Sequence, residues 1–332
     1  VALAARERLG AHVTGWDPDE HALRVALERG VLDAAAASPA EAVAGADLVV
    51  VAAPVAALPA VLEEALAAAG PDAIVTDVGS TKAAVVAAIG DPRFIGGHPL
   101  AGAEVAGVEH ARADLFAGAT WYLTPREDTE GLRFERLHRA VAGLGAVPTA
   151  IRPEVHDRLM AAFSHLPHVV ANALVEQACD ALGDEAIPVT GPSFRDMTRV
   201  AGANPPLWAS IYGANREALL DALDGLLAHL RDARAVLAAG ERVEAWQAGA
   251  GVRRRALLDV GLTGGPLQQV RVVVPNRPGV IADLAVTLSR AGINIHDMSL
   301  SPSPDFRSGE VALWVAEDHA GRARELVEEV AR

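Results

Sequence analysis

The sequence holds one cysteine, three methionines and so few aromatic residues that Phe, Trp and Tyr together fill 4% of its 332 positions. A single cysteine excludes an intramolecular disulfide and any multi-cysteine zinc site. Cys179 lies in the helix-like segment Ala173–Leu182 and reads as a small buried core residue. A chain without disulfides fits a reducing cytoplasm. With aromatics scarce, the core has to be built from Ala, Val and Leu. Positive charge is also in short supply: 29 Lys and Arg stand against 43 Asp and Glu, a net charge of -14. That balance argues against nucleic acid or an anionic membrane surface as the main partner. A local basic pocket for an anionic small molecule remains compatible with it. Long apolar runs are missing as well. The longest, Leu48–Leu62, contains Pro54 and Pro59 and is shorter than the ~20 residues of a membrane helix. It reads as a buried strand leading into a loop. No signal peptide is visible, because Arg6 and Arg8 lie at the wrong end of the opening apolar stretch.

What is present is an ordinary globular composition, 51% hydrophobic and 22% charged, long enough for two or three domains at ~150 residues each. The first half alternates helix-like and strand-like segments. Val1–Leu9 reads as a helix ended by Gly10, Ala11–Trp16 as a strand, and Glu20–Arg29 as a helix. Leu48–Ala53 and Ala73–Asp77 are β-rich runs of the kind buried on both faces of a parallel sheet, and Phe94–Gly97 and Thr120–Leu123 look like further strands. This alternation implies a doubly wound α/β Rossmann domain over residues 1–152. From Pro153 long Ala- and Leu-rich segments follow, Glu154–Ser164, Val169–Ala181 and a long helix Pro205–Ala239. They imply an all-helical domain over 153–256 whose longest helix can serve a dimer interface. Glu241–Gly265 reads as a helix tail and linker. A β-α-β-β-α order over 267–332 then implies a small α+β module.

A Rossmann domain needs a first strand and a G-x-G-x-x-G turn, whose glycines bring backbone N–H groups to a pyrophosphate. Neither is in this sequence, which opens inside what would be the following helix. The expectation is that N-terminal residues are lacking, ~15 of them for one strand and its turn. The next element is in place. Asp17 follows the second strand, where an acid bonds the ribose hydroxyls and repels a 2′-phosphate, a preference for NAD. Ala53 and Pro54 sit where a loop passes the adenosine half.

Three clusters carry chemistry. Thr76-Asp77-Val78-Gly79-Ser80-Thr81-Lys82 is a strand end followed by a helix start, where Ser80 or Thr81 would also make an ordinary N-cap. Gly96-Gly97-His98-Pro99 locks a histidine between glycines and a proline, as a rigid proton acceptor requires. The third cluster comprises His156-Asp157, Ser164-His165-Leu166-Pro167-His168, Phe194–Arg199 and Trp208. His165 and His168 lack a third ligand at suitable spacing, so no metal is expected. No G-x-S-x-G elbow accompanies Ser80 and His98, which speaks against a serine hydrolase.

Together, Asp77-x-Gly-Ser-x-Lys82, Gly97-His98-Pro-x-Ala-Gly-x-Glu104, His156-Asp157, Ser164-His-Leu-Pro-His168 and Arg195-Asp-x-Thr-Arg199 resemble the prephenate dehydrogenase family of tyrosine biosynthesis, over nearly the whole chain. The C-terminal module, with Val274-Pro-Asn276-Arg-Pro-Gly279 and Gly292-Ile-Asn294-Ile, resembles an ACT domain. The resemblance implies a Rossmann domain, a helical dimerisation domain and a regulatory module in a homodimer. It also implies an oxidative decarboxylation: hydride leaves the ring C4 of prephenate for NAD+, the hydroxyl proton leaves, and CO2 departs as the ring becomes aromatic. In that reaction His98 is the base, and Ser80 orients it and borders the cofactor. His168, with His165 nearby, contacts substrate. Arg199 clamps a carboxylate with its two-pronged guanidinium, Arg195 adds positive field, and Glu104 pairs with Arg199 as a gate. Asn276, Gly279 and Asn294 match positions that line an amino-acid effector site, with tyrosine the expected effector and feedback inhibition the expected result.

Three rival readings remain. Gly191-Pro192-Ser193-Phe194 stands where relatives can carry a run of glycines, which keeps arogenate dehydrogenase open. A β-hydroxyacid-type dehydrogenase would need a lysine in the helical domain, and none occurs after Lys82. A non-catalytic amino-acid sensor is the reading of another class, and it gains weight only if the native chain begins at Val1.

Overall fold

The first helix, α1 (Ala2–Leu9), ends at Gly10, which takes the left-handed conformation (φ 63°) that glycine adopts without a Cβ penalty. The computed structural model describes residues 1–102, 107–182, 190–259, 267–303 and 307–331. The chain divides into two compact units, residues 1–156 with 265–332, and residues 157–264.

In the first unit β1 (Thr14–Gly15) pairs in parallel with β2 (Ala34–Ala35), with α2 (Glu20–Glu28) between them. The Asp19 side chain caps α2 by accepting from the His21 N–H. Only two residues of the expected strand Ala11–Trp16 are paired. After α3 (Pro39–Val43), β3 (Leu48–Val51) pairs in parallel with β4 (Ile74–Asp77) through α4 (Leu58–Ala68). Among the described residues the β1–β2 and β3–β4 pairs are not bonded to each other. In a doubly wound order of 3-2-1-4-5-6 the strand that would join them is the first, the one the sequence lacks. Past α5 (Ala83–Ala88), Phe94 bridges Val75, and β5 (Gly96–Pro99) begins two residues later than the sequence suggests. β5 runs antiparallel to β6 (Thr120–Thr124). β6 in turn pairs in parallel with β7 (Val147–Ala150) across α6 (Gly131–Gly143). Helix α7 (Pro153–Met160) follows.

The C-terminal module folds as β8 (Leu267–Pro275), α13 (Val280–Arg290), β9 (Asp297–Pro302), β10 (Ser308–Ala316) and α14 (Ala320–Ala331), an antiparallel sheet in the order β8-β10-β9. It shares one hydrophobic core with the first unit's third sheet: Phe134, Leu137 and Val141 of α6 lie in the same buried cluster as Ile281, Leu284 and Leu288 of α13. Each such side chain is worth about 1.5–3 kcal/mol when buried, so the module is an integral layer of this unit.

The second unit is helical. A π-helical turn (Ala161–His165) leads into α8 (Leu166–Leu182), followed by α9 (Pro192–Thr198), α10 (Pro205–Ala214), α11 (Arg216–Ala239) and α12 (Val243–Asp259). Three expectations are corrected here. The helix expected over Pro205–Ala239 is two helices, broken at Asn215 (φ −118°, ψ 31°), whose buried side chain bonds elsewhere. The segment expected as a tail and linker contains α12, set off from α11 by Gly240 in the left-handed region (φ 70°) and by Arg242 (φ 62°). Cys179 is exposed. It sits one position off the inward stripe of α8 formed by Ala171, Leu174, Val175 and Ala178. Among the described residues no helix is long and apolar enough to cross a membrane.

Candidate active site

The turn after β4 is organised by a charge. Asp77 and Lys82, the only lysine of the sequence, are both fully buried and form an ion pair. The second carboxylate contact runs from the Gly79 N–H to Asp77 Oδ2 at 2.9 Å, and a third from the Gly97 N–H to Oδ1 at 3.0 Å. β5 can lie this close only because it starts with glycines. A Cβ at Gly97 would stand 2.6 Å from the Asp77 carbonyl oxygen, and one at Gly96 2.4 Å from Thr124 Oγ1. Among the described residues no side chain caps α5, and the N-cap role open to Ser80 or Thr81 is not used. Asp77 takes over the satisfaction of this turn, and half-buried Ser80 sits within it.

His98 follows Gly97 on this strand, half-buried and directly across from Tyr122 of β6. Its Nδ1 lies 2.8 Å from Nε2 of His156 on α7. His156 is fully buried, and its ring meets the Tyr122 ring edge-on at 5.5 Å. Burial also raises the Tyr122 phenol above its ordinary range. The sequence shows His156 beside Asp157 but gives it no task, since a partner 58 residues from His98 is visible only once the sheet and α7 are in place.

The residues expected to meet a dinucleotide follow the carboxyl ends of three strands: Asp17 after β1, Ala53 and Pro54 after β3, and Ser80 after β4. Parallel α/β sheets bind ligands at such ends. Asp17 is exposed, and its Oδ1 accepts the Asp19 N–H at 2.8 Å in a local turn. An exposed carboxylate at this strand end fits a ribose diol; Ala53 is half-buried and Pro54 exposed.

In the helical unit the His168 ring stacks on Trp208, with centroids 3.5 Å apart and planes at 28°. His165 meets the same indole edge-on at 6.1 Å. The Asn215 amide holds the Nδ1 of His165 at 3.1 Å and donates to the Asp157 carbonyl at 2.7 Å. His165 is 1% exposed and packs against Trp208, while the His168 ring is the more accessible of the two. Partial burial lowers the His168 pKa, opposed by a backbone hydrogen bond at Val200 and reinforced by the charge of Arg199. A neutral His168 is a hydrogen-bonding group, which leaves the arginines to supply positive charge. Pro192 occupies the first turn of α9, where its missing N–H costs nothing. Arg195 and Arg199 are exposed and four residues apart, on one side of the helical turn. Like His156, Asn215 is given no task by the sequence, where its only signal is its place within an apolar helical run.

Family models match the chain from end to end: the prephenate dehydrogenase nucleotide-binding domain over residues 1–149, its dimerization domain over 152–247, and an ACT domain over 268–332. A cyclohexadienyl dehydrogenase from Zymomonas mobilis is 35% identical over 60% of this chain and 70% of its own length. A Bacillus subtilis prephenate dehydrogenase is 29% identical over 99% of this chain and 92% of its own. The chain belongs to the prephenate dehydrogenase family. Among solved structures, the Aquifex aeolicus family member in complex with hydroxyphenyl propionate and NAD+ superposes with a TM-score of 0.70 at 29% identity, over 77% of this chain and 93% of that one. The arogenate dehydrogenase of Synechocystis gives 0.66 at 31% identity, over 77% of this chain and 95% of that one.

Glu104, expected from the sequence as a gate, lies outside the described residues. The positions expected to line the ACT effector site are separated by their surroundings. Asn276 is exposed, and its backbone N–H bonds the Arg307 carbonyl at 2.9 Å. The Asn294 Oδ1 is buried with no hydrogen-bond partner among the described residues, and Asn294 lines a small cavity with His138 and Thr149. Gly279 is buried against the loop between β6 and α6, and a Cβ there would stand 2.2 Å from the Glu127 carbonyl oxygen. The close approach that glycine permits is made in this structure by the protein's own backbone.

Proposed function

We propose that this protein catalyses the NAD-dependent oxidative decarboxylation of prephenate to 4-hydroxyphenylpyruvate, the dehydrogenase step of tyrosine biosynthesis in the cytoplasm. The observation that carries the reading is His98: a half-exposed imidazole whose strand is tied to Asp77 through the Gly97 N–H and whose ring is held by His156. Bound NAD+ supplies the hydride acceptor. Asp17 would hold its ribose, Ala53 and Pro54 would border the adenosine half, and Ser80 would border the nicotinamide half. His98 accepts the proton of the substrate's C4 hydroxyl, so that the oxygen lone pair can assist departure of the hydride. Ser80 orients that hydroxyl. His168 hydrogen-bonds the substrate, Arg199 clamps a carboxylate, and Arg195 adds to the positive field in a chain of net charge -14. Glu104 gates access by pairing with Arg199.

A second reading, turnover of arogenate to tyrosine, is favoured by the 31% identity to the Synechocystis arogenate dehydrogenase. Purified protein incubated with NAD+ and either prephenate or arogenate tests both, read by formation of reduced cofactor. Turnover of prephenate supports the first reading, and turnover of arogenate alone supports the second. If neither turns over and an amino acid still binds, the non-catalytic sensor is the correct reading.

The protein acts as a homodimer in this reading. The helical unit buries few side chains, while α11 leaves Leu220, Leu227, Leu230 and Leu237 exposed at spacings of seven, three and seven. That is a coiled-coil-like seam in need of a partner. The ACT domain takes free tyrosine as a feedback effector. Its binding at Gly279 would require the loop at Glu127 to yield.

A further inference from the structure

The bond between His98 and His156 constrains which nitrogen of His98 can act. Two neutral imidazoles 2.8 Å apart share one proton between Nδ1 of His98 and Nε2 of His156. If that proton belongs to His156, the neutral His98 carries its own proton on Nε2 and presents a donor to the substrate. If it belongs to His98, Nε2 of His98 carries a lone pair and presents a base. Only the second arrangement performs the proposed chemistry.

We infer that His156 is a positioning residue that accepts the Nδ1–H of His98 and thereby holds it in the tautomer whose Nε2 takes the substrate proton. The inference rests on the reading of His98 as the base. His156 fills the place that a carboxylate fills in a Ser-His-Asp triad, with a neutral acceptor instead of a charged one. Its ring has little freedom to turn away: it is fully buried, and Tyr122, the cross-strand neighbour of His98, packs edge-on against it at 5.5 Å. In the step itself the O–H bond of the C4 hydroxyl breaks, its electron pair stays on oxygen, and a bond forms between the proton and Nε2 of His98. The hydride passes to NAD+ and CO2 leaves. The phenolate oxygen of the aromatic product then takes the proton back from Nε2. The positive charge that His98 carries in between is shared through its Nδ1–H with His156. Among the described residues, the other titratable groups near His98 include the Tyr122 phenol across the strand and the Asp77–Lys82 pair beneath Gly97.

The test compares His156→Gln, which keeps an acceptor at similar reach, with His156→Leu, which removes it, in the full-length enzyme with NAD+ and prephenate. The expected result is a kcat within a few-fold of wild type for H156Q and about 10–100-fold lower for H156L, with KM for both substrates within about three-fold. Without the acceptor, the cationic form of His98 is less favoured, so the acidic limb of kcat/KM should move to lower pH in H156L. Equal kcat in wild type and H156L, or equal losses in both variants, would overturn the inference. If either variant fails to fold, nitrogen NMR of histidine-labelled wild-type protein decides: a proton on Nδ1 of His98 supports the tautomer, and a proton on Nε2 refutes it. If wild type turns over neither prephenate nor arogenate, the functional reading fails, whereas the NMR result still judges the tautomer alone.

Discussion

The backbone N–H of Gly279 donates to the carbonyl of Thr129 at 3.2 Å, which pins the start of α13 to the loop ahead of α6. The bond requires glycine twice over: φ is 83°, and a side chain would collide with Glu127. Gly279→Ala is therefore expected to cost about 2 kcal/mol or more, from the left-handed backbone and the clash together. A denaturant melt of both proteins measures it, and an unchanged midpoint would contradict the close packing of the ACT domain here.

His138 lies under the same interface, buried beside Phe134 on α6. Burial pushes its pKa from 6.5 down to about 4, with Asp297 pulling weakly the other way. Between those values the unfolded chain binds the proton and the native one does not, so stability falls as pH drops from about 6.5 to about 4 and levels off below. The contribution is about 3 kcal/mol at most. Melts across this range should show a shallower loss for His138→Leu than for wild type.

Replacing the base should leave binding intact. His98→Asn is expected to lower kcat by about 10²–10⁴-fold, with NAD+ affinity unchanged by fluorescence titration. Normal turnover would remove His98 from its assigned role.

The buried pair predicts a rescue. Lys82→Met leaves the Asp77 carboxylate buried and uncompensated, at an expected cost of about 3–5 kcal/mol. The double variant with Asp77→Asn should be the more stable of the two, because it no longer buries a lone charge. Paired thermal melts compare them, and additive losses would mean that the two side chains are not coupled.

Placing charge on the seam of α11 tests the dimer. Leu227→Glu with Leu230→Glu should yield monomers by light scattering, while the ACT domain and the nucleotide-binding domain keep their shared core. An unchanged mass would move the interface elsewhere.

Much of the fold was legible in the chain. The parallel strands Leu48–Val51 and Ile74–Asp77 announced themselves as unbroken β-branched and apolar runs. The β-α-β-β-α order of the C-terminal module followed from periodicity and turn residues alone. Shorter strands were harder. β2 is two alanines and β7 contains a proline, so neither carries a local β signal. Asn215 broke a helix that composition would have continued, because its amide is committed to His165 and to the Asp157 carbonyl.

By itself the sequence determined the element order, the scarcity of positive charge and the local rigidity around His98, all of which depend on neighbours in the chain. Tertiary structure alone decided which groups meet. It brought His156 to His98 and Asp77 to Gly97, buried His165 behind Trp208, and closed the space at Gly279 with the protein's own loop. These are contacts between residues tens to more than a hundred positions apart. Their formation depends on how sheets and helices pack, and no spacing within the sequence encodes that directly.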